Sequence, residues 1–198
     1  MTPHMIDFIH SFAWFAEING PVLEIGSYIE AGQDHLNLRR AFPRETQYLG
    51  VDRIEGAGVD RKVDMLDQSQ VDALLDSYAP RVTLCLYVME HVWDIKEAAQ
   101  VLTKMWQRYP ESWLFVSTHQ QQAFHGTEKY PDYWRITAPG MKRLFADMSG
   151  VHVIVSPDTN NPTDVMAVRQ PASLPWPEES VKRALKASEI FAHWEVYC

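Results

Sequence analysis

The chain has 198 residues, of which 46% are hydrophobic and 22% charged, with a formal net charge of −8; that composition fits one globular domain and excludes a disordered or membrane-spanning chain. The acidic balance disfavours a broad nucleic-acid surface, because such affinity comes from Lys and Arg displacing counterions from phosphates. Two cysteines, Cys85 and Cys198, give no disulfide framework, no CxxC or HExxH pattern suggests a metal, and no signal-peptide or long apolar run is present, so the expected location is cytoplasmic without membrane insertion.

Residues 5–18 place Met5, Phe8, Ile9, Phe12, Trp14, Phe15 and Ile18 close to helical spacing, which predicts an amphipathic helix ended by Asn19-Gly20-Pro21. Such a stripe fits core packing, a cap over a binding site, or a contact between two copies in a homodimer. Val22-Leu23-Glu24-Ile25-Gly26 reads as a buried strand feeding a small-residue turn, and residues 33–42 as a polar helix. Strands are predicted at 47–52 and 61–64, a helix at 69–79 and an apolar strand at 81–88. A longer helix is expected over 95–109, with Asp94 as N-cap and Glu97 completing a capping box. Ser112–Thr118 is the next strand, and a long polar loop leads to a helix beginning at Thr137 and ended by Gly150. Two more strands follow at 151–156 and 164–169, and the Pro-rich link 171–177 leads to a last helix around 178–195, whose Val181, Leu185, Phe191 and Trp194 fit packing better than binding.

Strands alternating with helices favour right-handed crossovers and a mainly parallel sheet covered on both faces. Sheets of that kind bind ligands beyond the carboxyl ends of their strands, where the strand order reverses. The candidate residues therefore follow strands. Glu24, Gly26 and Ser27 close the first: Gly allows close backbone approach, and an acid there steadies the loop or meets an ammonium group, although a plain turn reads the same way. Asp52 ends the second strand, where a carboxylate can accept from both hydroxyls of an adenosine ribose or simply be solvated. Asp64 with Met65 follows the third, fitting an adenine amino group and ring face, or a helix cap.

The order of VLEIGS (22–27), YLGVD (48–52), GAGVD (56–60), VDM (63–65), MEHVWD (89–94) and YPDYWRIT (130–137) resembles the class I S-adenosylmethionine-dependent methyltransferases, and within them a bacterial group of small methyltransferase-domain proteins. The resemblance implies a Rossmann-like fold, with a seven-stranded, mainly parallel sheet, an antiparallel last strand and helices on both faces. It implies one domain: an N-terminal helix (1–20), a cofactor-binding core (21–170) with a substrate loop (119–137), and the link and C-terminal helix (171–198). The implied cofactor is S-adenosyl-L-methionine, with Glu24 and Gly26 at its methionine end, Asp52 on the ribose, Asp64 and Met65 at the adenine, and Glu90 and His91 beside the methyl. The sequence departs from the superfamily's glycine-rich loop in placing Tyr28 and Glu30 at the second and third glycine positions, with Gly32 two residues further on.

Methyl transfer needs an aligned nucleophile and exclusion of water, with a general base only for a protonated acceptor. His91, His119 and His125 are the candidate bases, and each is equally readable as a structural hydrogen-bonding residue. Tyr130, Asp132, Tyr133, Trp134 and Arg135 are expected to form an acceptor pocket or lid, or else to pack the loop onto the sheet with Arg135 paired to Asp132. The acceptor, expected to be a small molecule, is not named by these residues. Two other readings compete: a non-catalytic binding protein of the same fold, suggested by the altered loop, and a nicotinamide-dependent oxidoreductase. The second lacks support, since GxGxxG is absent and no Tyr lies four residues before a Lys.

Overall fold

A computed structural model describes residues 3–43, 46–155, 164–187 and 195–197. Its elements run α1 (Pro3–Phe15), β1 (Val22–Ile25), β2 (Tyr48–Asp52), β3 (Arg61–Lys62), α2 (Gln68–Ser77), β4 (Val82–Leu86), α3 (Ile95–Arg108), β5 (Trp113–His119), α4 (Ala138–Leu144), β6 (His152–Val155), β7 (Asp164–Arg169), α5 (Glu178–Ala187) and β8 (Glu195–Tyr197). One eight-stranded sheet takes the order β3-β2-β1-β4-β5-β7-β6-β8. The first five are mutually parallel, whereas β7 runs antiparallel to both β5 and β6. This is the expected α/β sheet, with β8 added antiparallel to β6 at the edge.

The period-2 alternation of strand side chains builds two cores, one on each face. Leu23, Ile25, Cys85, Leu114 and Val116 join residues of α2, α3 and α4 on one face. Val22, Val82, Leu84, Leu86 and Phe115 join α1 and α5 on the other. There Phe12 stands edge-on to Trp113 and Phe115, at centroid distances of 5.2 and 5.4 Å, contacts worth about 0.5–1.5 kcal/mol each beyond the area they bury. The α1 stripe is thus interior: Met5, Phe8, Ile9 and Phe12 are buried, and only Trp14 of its large apolar residues lies outside.

Three local expectations are corrected. Residues 33–42 form two short 3-10 turns, Asp34–Leu36 and Leu38–Ala41, in place of an α-helix. The Asn37 side chain accepts the Arg39 N–H at the junction, a local bond that competes with helical pairing. Asp94 precedes α3 without making a side-chain cap, so the capping box does not form. The last helix is described over Glu178–Ala187, and the backbone at 195–197 is an edge strand, so a helix does not reach 195; Phe191 and Trp194 lie outside the described residues. Thr137 does cap α4, accepting from the Gly140 N–H.

Candidate active site

The strand order reverses between β1 and β4, each of which has a neighbour on its other side that comes from the opposite direction of the chain. At their carboxyl ends the sheet opens into a crevice of about 580 Å³, within the range of small-molecule and cofactor sites. Ile25 and Gly26 from β1, Asp52 and Arg53 from β2, Asp64 and Met65 after β3, and Tyr87 and Val88 after β4 form its strand rim. Residues of the segment after β5, among them His125, Tyr130 and Tyr133, form the opposite rim.

Gly26 is required twice over. Its φ is +80°, and a Cβ there would stand 2.2 Å from Cγ2 of Val88. Tyr87, buried at the end of β4, also has positive φ (58°), an unfavourable conformation for a bulky residue that the surrounding structure must impose. Its N–H donates to the Ser117 carbonyl, and its ring lies 4.5 Å from that of His119. Nothing in the apolar run 81–88 signals this turn.

Asp52 is buried and turned into the crevice. Its Oδ1 accepts from the Ile54 N–H and the Tyr130 hydroxyl, both at 3.1 Å, and Oδ2 accepts from the Tyr28 N–H at 3.3 Å. Burial, followed by the charge of Asp52, pushes the Tyr130 hydroxyl well above the usual tyrosine range, so Tyr130 stays a donor. Tyr28, one of the residues standing in place of glycine, lines the crevice with its ring 5.8 Å from that of Tyr130. Asp64 also reaches the crevice, while its Oδ1 accepts from the Leu66 N–H as a local turn cap. Met65 shows one side to the crevice and packs the other into the core.

Glu24 and Ser27 do not line the crevice. Glu24 alternates with Leu23 and Ile25 and so faces the side of the sheet that carries α1, where it accepts from the Tyr48 hydroxyl at 2.7 Å. Burial raises its pKa to about 7, against the opposing effect of the Tyr48 hydrogen bond. Ser27 is buried against Gly50, whose absent side chain leaves room for it: a Cβ on Gly50 would lie 2.8 Å from the Ser27 Oγ. The turn chemistry of VLEIGS is therefore supplied by the backbone and Gly26, with Glu24 beneath it.

The loop rim is assembled by side chains. The Arg135 guanidinium grips Asp132 through two bonds of 2.6 and 2.7 Å and also donates to the carbonyls of Gln122, Ala123 and Trp134. Arg135 holds the Asp132 carboxyl far below the usual carboxylate range. Neither lines the crevice, and nor does Trp134, whose indole donates to the Val92 carbonyl at 2.9 Å. Of the five loop residues expected to bind an acceptor, Tyr130 and Tyr133 face the crevice and Asp132, Trp134 and Arg135 brace it. Trp93, exposed beside Tyr133 with ring centroids 5.3 Å apart, extends the aromatic wall.

All three candidate histidines line the crevice. His91 Nδ1 lies 2.9 Å from the Pro131 carbonyl, His119 Nδ1 lies 3.0 Å from the Asp164 carboxylate, and His125 Nδ1 lies 3.2 Å from the Ala123 carbonyl. Glu90 is fully buried beneath them, and its backbone carbonyl accepts from Tyr133 and Trp134. Asp164 was not singled out by sequence reading, because it reaches His119 through the antiparallel register of β7 on β5.

The sequence matches no family model and no curated protein with significance. Solved structures share its fold. A DUF574 family protein from Streptomyces avermitilis superposes with a TM-score of 0.55 at 17% identity, covering 85% of this chain and 81% of that one. A 1,6-didemethyltoxoflavin-N1-methyltransferase from Burkholderia thailandensis, solved with 1,6-didemethyltoxoflavin and S-adenosylhomocysteine, gives 0.53 at 16% identity over 84% and 78%. A SAM-dependent methyltransferase from Archaeoglobus fulgidus gives 0.53 at 12% identity over 84% and 93%. Strand order, the antiparallel β7 and these superpositions together establish that the chain has the Rossmann-like class I methyltransferase fold.

Proposed function

We propose that the protein is an S-adenosylmethionine-dependent methyltransferase acting on a small-molecule acceptor. The observation that carries this reading is the buried Asp52 carboxylate, presented at the tip of β2 into a crevice floored by Gly26 at the strand-order switch. The residues fit the cofactor. A carboxylate has about four lone-pair sites, of which Asp52 spends three, and Tyr130 is a donor that a ribose hydroxyl can replace. Gly26 leaves backbone room for the methionine end, and Met65 offers an apolar surface to the adenine. When bound, the cofactor supplies an electrophilic sulfonium methyl.

The chain's own part is positioning and exclusion of water, the main requirements of such a transfer. Tyr133 and Trp93 give planar faces against which an acceptor aligns, and the Arg135–Asp132 pair fixes the loop that carries Tyr133. The proton of a hydroxyl or ammonium acceptor passes to Nε2 of one of the three histidines, each of which keeps its other ring nitrogen on an oxygen acceptor. The net charge of −8 supports a small molecule over a nucleic acid. No described helix is long and apolar enough to cross a membrane, and the buried Cys85 thiol suits a reducing, cytoplasmic setting.

Calorimetric titration with S-adenosylhomocysteine tests the reading. Asp52→Ala should weaken binding by about 1.5–3 kcal/mol, the value of hydrogen bonds to a charged group. Unchanged affinity in a folded variant removes Asp52 from the site. No binding by the parent protein favours the non-catalytic alternative, to which Tyr28 in place of glycine gives some support. Binding of NADH alone favours an oxidoreductase.

A further inference from the structure

We propose that Glu90, His91 and His125 form a binding site for a divalent transition-metal ion at the acceptor end of the crevice. A Glu90 carboxylate oxygen and one ring nitrogen from each histidine lie within 4.8 Å of one another. Glu90 has no exposed surface, and its Oε1 has no hydrogen-bond partner. Leaving a carboxylate oxygen unpartnered at that depth is unfavourable, and a cation is the natural occupant of the space before it. The other oxygen, Oε2, is fixed by the Thr118 hydroxyl at 2.8 Å, which sets the carboxylate plane.

Both histidines have the oxygen partners at Nδ1 that ligating imidazoles use. The Pro131 carbonyl can only accept, so His91 Nδ1 carries a proton and its lone pair lies on Nε2. The Ala123 carbonyl imposes the same tautomer on His125, whose Nδ1 is also 3.2 Å from the ionised Asp132 carboxylate. Carbonyl or carboxylate partners at the remote ring nitrogen are the usual support of a ligating imidazole. His119, held at Nδ1 by Asp164, brings its Nε2 to 3.9 Å from Glu90 Oε1, too far for a hydrogen bond, and stands as a further ligand.

The nearby cation does not compete, because Arg135 is committed to Asp132 and three carbonyls. Two imidazoles and a carboxylate suit zinc, iron or nickel better than magnesium or calcium. Metal–ligand bonds of about 2.0–2.1 Å set tetrahedral ligands roughly 3.4 Å apart, and His125, on the exposed side of the loop, has room to adjust to that spacing. Three protein ligands leave open positions toward the crevice, the arrangement of reactive rather than structural sites. The site stands on its own residues; only if methyl transfer also holds does the open position seat an acceptor oxygen and acidify it, in place of proton transfer to His91 or His125.

Chelator-treated, tag-free protein titrated with ZnCl2 in a calorimeter should take up one ion per chain, and Co2+ should give d–d absorption bands of a low-coordinate site. His91→Ala and His125→Ala, in which the buried carboxylate is untouched, should each abolish uptake with an unchanged near-ultraviolet circular dichroism spectrum. Glu90→Gln should do so too if it folds. Absence of zinc uptake by the parent, or uptake that survives both histidine variants, overturns the proposal. A parallel titration with S-adenosylhomocysteine separates the two claims: zinc uptake without nucleoside binding sinks methyl transfer alone, and the converse sinks the metal site alone.

Discussion

The two rims of the crevice are built by different means. On the strand rim, Asp52 ends β2 and Gly26 and Asp64 sit one and two residues beyond β1 and β3, hydrogen-bonded strands whose register fixes their backbone. On the loop rim, residues 122–135 contain no regular element, and side chains hold the shape: Arg135 on Asp132, His91 on Pro131, Tyr130 on Asp52, and Arg53 on the Lys129 carbonyl. A strand rim is as stable as the sheet, whereas a loop rim of this kind opens for less than global unfolding. On the proposed function this is a division of labour, with rigid groups for the cofactor and a side-chain-latched wall for the acceptor.

The largest effect should come from the strand rim. Gly26→Ala puts a Cβ into Val88 and forces an L-residue to φ +80°, and we expect a loss of about 3 kcal/mol or more of stability in urea unfolding. A loss below 1 kcal/mol would show that this rim yields as a loop does. Glu24 lies beneath the same rim. Its folded pKa of about 7 is above the ordinary glutamate value of 4.5 because burial disfavours the charge, so stability is penalised progressively as pH rises from about 4.5 to 7 and fully above that. Glu24→Gln should therefore raise stability at pH 8 by up to about 3 kcal/mol and do little at pH 4. Equal effects at both values would mean the carboxyl is not the titrating group.

Arg135→Ala unlatches the loop rim. Amide exchange over 122–134 should accelerate by about ten- to a hundredfold, matching 1.5–3 kcal/mol of charged hydrogen bonding, with the sheet amides unchanged. Nucleoside affinity should survive while acceptor turnover falls; acceleration throughout the sheet would show that the two rims unfold as one. The smallest effect is expected for Tyr130→Phe, which removes the hydroxyl from Asp52. S-adenosylhomocysteine should bind more tightly by about 0.5–1.5 kcal/mol, since one competing donor is gone. Weaker binding would make Tyr130 part of the nucleoside site itself.

How far each rim could be read in advance follows from the same division. Gly26, Asp52 and Asp64 were legible because strand ends are written locally, as apolar runs stopped by Gly or Asp. The periodicity at 5–18 and 95–109 likewise marked α1 and α3, although the Asp94 side chain proved not to cap. The turn at Tyr87 left no trace, because positive φ there is imposed by neighbours and not by the residue.

By itself, the sequence determined the order of strands and helices from 47 to 170 and the placing of acids at strand tips, since hydrophobic period and turn residues act over a few positions. Tertiary structure decided which way those side chains face. Strand alternation sends Glu24 to the far side of the sheet, antiparallel register sets Asp164 on His119, and the folded loop carries His125 to Glu90 and His91. Such meetings depend on packing between segments tens of residues apart, which no local spacing encodes.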